Sequence, residues 1–264
     1  MRHAIHVPLF GALADPHAIA DIARAAEEAG WDGFFVWDHI LSPVGGQWDI
    51  ADPWIILAGA AMVTDRIRLG PMVTPLPRRR VINLARETVT LDRLSRGRLI
   101  LGLGTGRDIA REYSAFGDVA DPRRLGRVLD EGVAVLTALW AGETVTHHGA
   151  VFVDDVRIIP GPLQQPRIPL WFGSNRAAGS PIERAARYDG IFPHGIDAAG
   201  VARIAATITT IRGNLEGFDI AVPARADEDL DGFRAAGATW AMHEFWPGDR
   251  PDRVLQIIDR GKPG

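Results

Sequence analysis

The chain has 264 residues, 47% hydrophobic and 23% charged, which supplies enough apolar material for a large folded core. A net charge of −4 offers no broad cationic face, so nucleic acid is not an expected partner, and the lack of cysteine excludes disulfides, thiolate metal sites and cysteine nucleophiles. No run approaches the roughly 18 apolar residues of a membrane span and no leader pattern is seen, so the expectation is a cytoplasmic protein without a membrane partner.

Strand-like and helix-like segments alternate along the chain. Residues 4–9 read as a first strand. Asp15 and Pro16 then open a helix, because the carboxylate can cap it and proline suits its first turn. Ile19, Ile22, Ala23 and Ala26 mark its apolar face, and Gly30 ends it. The second strand, 33–37, is apolar on both faces, as a parallel strand covered by helices must be. A helix over 51–63, a strand over 66–73, a helix over 81–94, a strand over 98–103 and a long helix over 122–140 follow.

The rhythm breaks over 143–166. There Thr144, Val145, Val151 and Phe152, set among proline and glycine, read as an excursion with a short hairpin after the fourth helix. Strands over 169–172, 190–192, 219–223 and 239–242 then alternate with helices over 180–187, 198–214, 229–236 and 252–260. Eight β/α units with no linker predict one α/β domain over 1–264, a (β/α)8 TIM barrel.

Related helix ends at Arg24, Arg184 and Phe233 each lead into a strand, with His39, His194 and His243 beyond. Barrel active sites occupy the rim after the strands, so the three histidines are expected at one mouth. His39, next to Asp38, is the candidate for proton transfer near neutral pH, although neighbours on a strand alternate faces. His194 and His243 are expected to line a substrate pocket. His3 and His6, three residues apart on a strand, point to opposite faces, so no metal pair is expected. His147 and His148 fall in the excursion and are expected to face solvent.

Trp37, Trp48, Trp171 and Trp246 fall near strand ends, where they can wall a dry pocket. Trp48 and Trp246 are assigned to the substrate pocket. Asp49, Asp52 and Glu244 are further candidate acids. Gly102-Leu103-Gly104-Thr105-Gly106 lacks both the third glycine of a dinucleotide loop and the lysine of a P-loop. It is either a tight turn or a place where a planar or phosphorylated ligand meets the backbone, with Thr105 and Arg107 as donors. Gly173-Ser174-Asn175-Arg176 precedes a helix and serves either as a cap or as a phosphate site.

The run over 66–106, RIRLGPMVTPLPRRRVINLARETVTLDRLSRGRLILGLGTG, together with PLWFGS over 169–174 and ERAARYDGIFP over 183–193, resembles the luciferase-like monooxygenase family. That family holds flavin and deazaflavin oxidoreductases. The resemblance implies FMN, or alternatively the 8-hydroxy-5-deazaflavin coenzyme F-420, over the barrel mouth. Its phosphate would be held by Gly104, Thr105, Gly106 and Arg107 and by Gly173, Ser174, Asn175 and Arg176.

It also implies a non-proline cis peptide at Met72-Val73 under the ring, and a proton-handling role for His39. Luciferase has arginine where Thr105 stands, which either moves the phosphate contact to Arg107 or changes its character. The loop over 224–228 leaves no room for the long lid of larger members. Three activities follow. The first is monooxygenation of a small organic substrate with oxygen and reduced FMN from a separate reductase. The second is hydride transfer to deazaflavin, a branch in which a pair such as Asp38-His39 is frequent. The third is flavin binding without turnover. A homodimer is implied by the same likeness.

Overall fold

A computed structural model describes residues 1–224 and 230–262. In chain order it contains β1 (Arg2–Val7), α1 (Pro16–Glu28), β2 (Gly33–Val36), α2 (Pro53–Met62), β3 (Arg68–Pro71), β4 (Thr74–Pro75), α3 (Val81–Leu94), β5 (Leu101–Gly104) and α4 (Pro122–Trp140). The hairpin β6 (Val145–His148) and β7 (Phe152–Val156) follows, then β8 (Leu170–Ser174), α5 (Ser180–Ala185), β9 (Gly190–Pro193), α6 (Ala198–Arg212), β10 (Asp219–Ala224), α7 (Asp231–Ala235), β11 (Trp240–Glu244) and α8 (Pro251–Asp259).

The main sheet runs β3-β2-β1-β11-β10-β9-β8-β5-β4 with every paired neighbour parallel. β3 and β4 are two halves of one stave, interrupted by the cis peptide Met72-Val73, so the expected continuous strand over 66–73 is corrected to a broken one. Counted once, that stave gives the eight of a TIM barrel. The ring closes where the amide of Ile100 donates to the Leu69 carbonyl at 2.9 Å and that of Leu69 to the Arg98 carbonyl at 3.3 Å. The hairpin β6–β7 is antiparallel and forms a separate sheet, as the excursion predicts. The expected loop over 224–228 and the first residue of the expected helix over 229–236 lie outside the described residues, apart from Ala224 at the end of β10.

Aspartate followed by proline starts three of the helices. Asp15 accepts from the amides of His17 and Ala18, Asp52 from those of Trp54 and Ile55, and Asp121 from that of Arg124, so each satisfies donors that the first helical turn leaves open. Asp52 is therefore a cap and not a site acid, because its carboxylate is spent on α2. Asp49 is exposed on the loop after β2, where its backbone carbonyl accepts from Gly11.

Alternation along the staves divides the core. Outward residues such as Ile5, Val7, Phe34 and Val36 pack under the helices. Inward residues fill the barrel with a separate cluster that includes Phe35, Trp171, Trp240 and Met242. Phe35 stacks on Trp171 at 5.8 Å, and Trp171 meets Trp240 edge-on at 5.5 Å. Each such ring removes roughly 150–250 Å² from water, a gross gain of about 4–6 kcal/mol. Trp171 is thus part of an interior plug and does not wall a pocket. Gly190 is required beside it, since a Cβ there would lie 2.5 Å from the indole.

Buried Arg98 donates to the carbonyls of Ala61, Thr64, Ile67 and Ser95 and to the Thr64 hydroxyl. It thereby satisfies acceptors that the end of α2 leaves open. Among the described residues no helix is long and apolar enough to cross a membrane.

Candidate active site

The same alternation sets the mouth above the plug. His6 follows Ala4 on the inner face of β1, Glu244 follows Met242 on that of β11, and Trp37 follows Phe35 beyond β2. The Trp37 ring lies 6.1 Å from His6, 5.9 Å from His39 and 6.1 Å from Trp246, with Phe10 6.0 Å from His39. These rings make a largely apolar wall around His39, with Trp246 at its outer end.

His39 Nδ1 lies 3.0 Å from Glu112 Oε2. Glu112 also accepts from the amides of Ile40 at 2.6 Å and Leu41 at 3.2 Å and from Arg78 Nη1. Its side chain is only 4% exposed, and burial alone raises a carboxyl pKa. The hydrogen bond and charge of His39, the charge of Arg78 and the Ile40 amide outweigh burial and hold the group at about 2. Glu112 is therefore an anion at neutral pH, an acceptor only. Nδ1 of His39 must donate to it, which leaves Nε2 as the proton-accepting nitrogen of the neutral ring. Among the described residues Nε2 has no hydrogen-bond partner, and the side chain is 28% exposed.

Asp38 is corrected from a catalytic to a positioning residue. It is buried, and its oxygens are taken by the Thr74 hydroxyl at 2.7 Å, Arg78 at 3.1 Å and Arg79 at 2.9 Å. Arg78 also donates to the Asp38 carbonyl at 2.6 Å. One guanidinium thus ties the end of β2 to Glu112 and sets where His39 stands.

His243 is also corrected. β11 extends to Glu244, so His243 lies within the strand and faces outward, with Nε2 3.0 Å from His3 Nδ1 and its ring edge-on to Trp31 at 4.9 Å. Burial, and secondarily the charge of His3, push His243 down to about 4; burial also lowers His3. It does not line the pocket. His194 does stand on the rim after β9, 57% exposed, with its amide bonded to the Ser174 carbonyl at 2.8 Å. The Trp48 indole donates to the Gly45 carbonyl and lines a small cavity of about 520 Å³ within the loop 41–50, beside the aromatic mouth.

Met72 and Val73 form the bulge that the resemblance implies. Val73 is wedged between two staves: a Cβ on Gly104 or Gly173 would lie 3.0 or 3.1 Å from its Cγ2. β5 and β8 pair directly, so the loops after them are neighbours. Gly106 has φ +68°, which favours glycine, and Tyr113 donates to the Thr105 carbonyl at 2.5 Å. Ser174 bonds within its own turn, to the amide and carbonyl of Arg176.

Among the described residues the amides of Gly106, Arg107 and Asn175 donate to no protein acceptor, and the exposed guanidinium groups of Arg107 and Arg176 have no ion-pair partner. Free amides and two cations on adjacent loops fit a phosphate. The donor set and the glycine-lined bulge therefore suit a phosphorylated planar cofactor. A cavity of about 590 Å³ lies elsewhere, between the hairpin and the starts of α3 and α4, and touches the charged cluster only through Arg79 and Tyr113.

Residues 3–226 match the model of the luciferase-like monooxygenase family. The chain belongs to this family. Among curated relatives, the F420-dependent glucose-6-phosphate dehydrogenase of Microbacterium testaceum is 32% identical over 169 residues, covering 62% of this chain and 49% of the relative. The chain thus spans about half the length of the curated relatives it matches. Two solved luciferase-like folds cover nearly all of it. An F420-dependent secondary alcohol dehydrogenase in complex with an F420-acetone adduct aligns with TM-score 0.82 and 15% identity over 99% of this chain and 98% of its own. Monooxygenase RslO1 of Streptomyces bottropensis gives 0.80 and 20%, over 98% and 97%. At such identities these two likenesses show the fold alone.

Sequence reasoning missed Glu112. It sits in an irregular segment without periodicity, and its only signal is an acidic residue shortly after a glycine-rich turn that a barrel would place at its mouth.

Proposed function

We propose that the chain is an F420-dependent oxidoreductase that moves hydride between the deazaflavin and a small organic alcohol or its carbonyl counterpart. The observation that carries this reading is the His39–Glu112 hydrogen bond, which fixes one nitrogen of the imidazole and leaves the other as a base at the mouth. The curated relative that names deazaflavin chemistry supports it over the FMN reading.

The bulge at Met72-Val73 would support the ring. Gly104, Thr105, Gly106 and Arg107, with Gly173, Asn175 and Arg176, would hold the phosphate. When bound, the deazaflavin supplies a hydride acceptor that works without oxygen. His39 Nε2 takes the hydroxyl proton of the alcohol as its carbon is oxidised and returns one in the reverse direction. The imidazolium so formed faces the Glu112 carboxylate, which stabilises it in a poorly solvated setting. Phe10, Trp37 and Trp246 exclude water and offer apolar contact to the substrate. Asp38 and Arg78 keep the base in register. A homodimer and a separate reductase that recycles the coenzyme belong to the same proposal.

Each cofactor added to apoprotein, followed by fluorescence quenching, tests the reading. Binding of deazaflavin with alcohol-dependent reduction is expected. Binding of FMN alone, with oxygen consumption, would replace this reading by monooxygenation, and binding without any turnover would reduce the protein to a carrier. His39→Asn is expected to lower kcat about 100-fold with cofactor affinity nearly unchanged.

A further inference from the structure

The hollow between the hairpin and the starts of α3 and α4 takes no part in the chemistry above. It exists because the hairpin is tied to the middle of α4, where Glu131 Oε2 accepts from the Val151 amide at 3.2 Å and lies 2.8 Å from His147 Nε2. Held there, the hairpin leaves about 590 Å³ on the side of α3, the size of a small-ligand pocket. Ile82 of α3, Leu125 and Val128 of α4 and Val151 of the hairpin supply apolar lining. Phe152 and Val119 line it too and are 70% and 54% exposed, so two large apolar side chains stand in water beside one hollow. A ligand with an apolar body would cover them. The charges on the lining are not balanced. Arg79 is bonded to Asp38 at 2.9 Å, and Asp154 to His148 at 3.1 Å. Arg80 and Arg124 are exposed, and among the described residues their guanidinium groups have neither a hydrogen bond nor an ion-pair partner; the opposing carboxylate on the lining is Asp118. Two free cations against one carboxylate leave an excess of one positive charge, in a chain whose net charge is −4. Arg127, further along α4, is also exposed and unpaired among the described residues.

We propose that this hollow is a second binding site, separate from the mouth, for a monoanion with an apolar body, of the class of a medium-chain carboxylate. Arg80 and Arg124 hold the carboxylate, whose two oxygens suit the planar fork of a guanidinium group. The hydrocarbon lies against Ile82, Val128, Val151 and Phe152 and takes their apolar surface out of water. A dianion such as a phosphate monoester is disfavoured, because it exceeds the unbalanced charge and meets Asp118. The site needs no coenzyme and so stands apart from the function proposed above.

Isothermal titration of octanoate into the full chain without cofactor tests the site. One-to-one binding is expected, with octan-1-ol weaker by about tenfold or more because the alcohol brings no charge. Arg80→Ala combined with Arg124→Ala is expected to weaken octanoate by about tenfold or more, and so is Phe152→Asp, which sets a carboxylate at an exposed position on the lining. Arg107→Ala combined with Arg176→Ala, on the loops at the mouth, is expected to leave octanoate affinity within about twofold of wild type. No saturable heat in the wild type overturns the site, and equal binding of octan-1-ol overturns the part given to charge. Affinity kept without Arg80 and Arg124, or lost without Arg107 and Arg176, puts the anion elsewhere and overturns the assignment. The comparison of acid with alcohol uses the wild type alone, so it decides the matter even if a variant fails to fold.

Discussion

Glu112→Gln is the sharpest perturbation of the site. The amide keeps the shape of the carboxylate but cannot offer a full charge to His39 and Arg78. The carboxyl stands at about 2 against an ordinary 4.5. At 1.36 kcal/mol per pH unit this is about 3 kcal/mol of preference for the charged form, shared among His39, Arg78 and the Ile40 amide. If a third to two thirds of it serves the imidazolium of His39, its loss raises the barrier by roughly 1–2 kcal/mol and lowers kcat by about 5- to 30-fold. Steady-state kinetics with saturating deazaflavin would show the fall in kcat, while fluorescence titration would show cofactor affinity within about twofold of wild type, since Glu112 does not touch the cradle. A variant with wild-type kcat would refute the claim that the carboxylate supports the base. The folded pKa is depressed, so the stability contributed by Glu112 is present above about 4.5 and is lost as pH falls from there through about 2.

A second acid-sensitive element lies outside the site. His243 also has a depressed folded pKa, so the protein should be fully stable above about 6.5 and lose about 3 kcal/mol as pH falls from there through about 4; urea midpoints across that window should slope in the wild type and flatten in His243→Phe. Arg98→Met should cost about 3 kcal/mol, because it leaves buried carbonyls of the α2 end unsatisfied, and a melting temperature within a degree of wild type would argue against the clamp. On the proposed function, Arg107→Ala combined with Arg176→Ala should weaken cofactor binding by about tenfold or more without moving the melting temperature, since both cations are exposed and have no ion-pair partner among the described residues.

Much of the barrel was legible because its grammar is local. Asp15-Pro16, Asp52-Pro53 and Asp121-Pro122 announce helix starts by chemistry contained in a few residues, and the helix over 122–140 is found with those bounds. The hairpin was legible from the break in rhythm. What escaped depends on parity or on long reach. The eighth strand was read as ending at residue 242, which put His243 beyond it; the stave continues to Glu244, so the alternation turns His243 toward the helices and Glu244 inward. Asp38 next to His39 suggested a working pair, but its partners come from Thr74, Arg78 and Arg79, more than 30 residues away. Glu112 stands 73 residues from the histidine it orients, in a segment with no pattern to read. The interruption at Met72-Val73 came only from the family likeness, since nothing in those side chains marks it.

The aromatic plug has a consequence for traffic. With Phe35, Trp171 and Trp240 packed in the barrel bore, those side chains leave the mouth as the approach to the site on the proposed function. If coenzyme and reactant share that approach, as the proposed function implies, the deeper-bound of the two is expected to enter first and leave last.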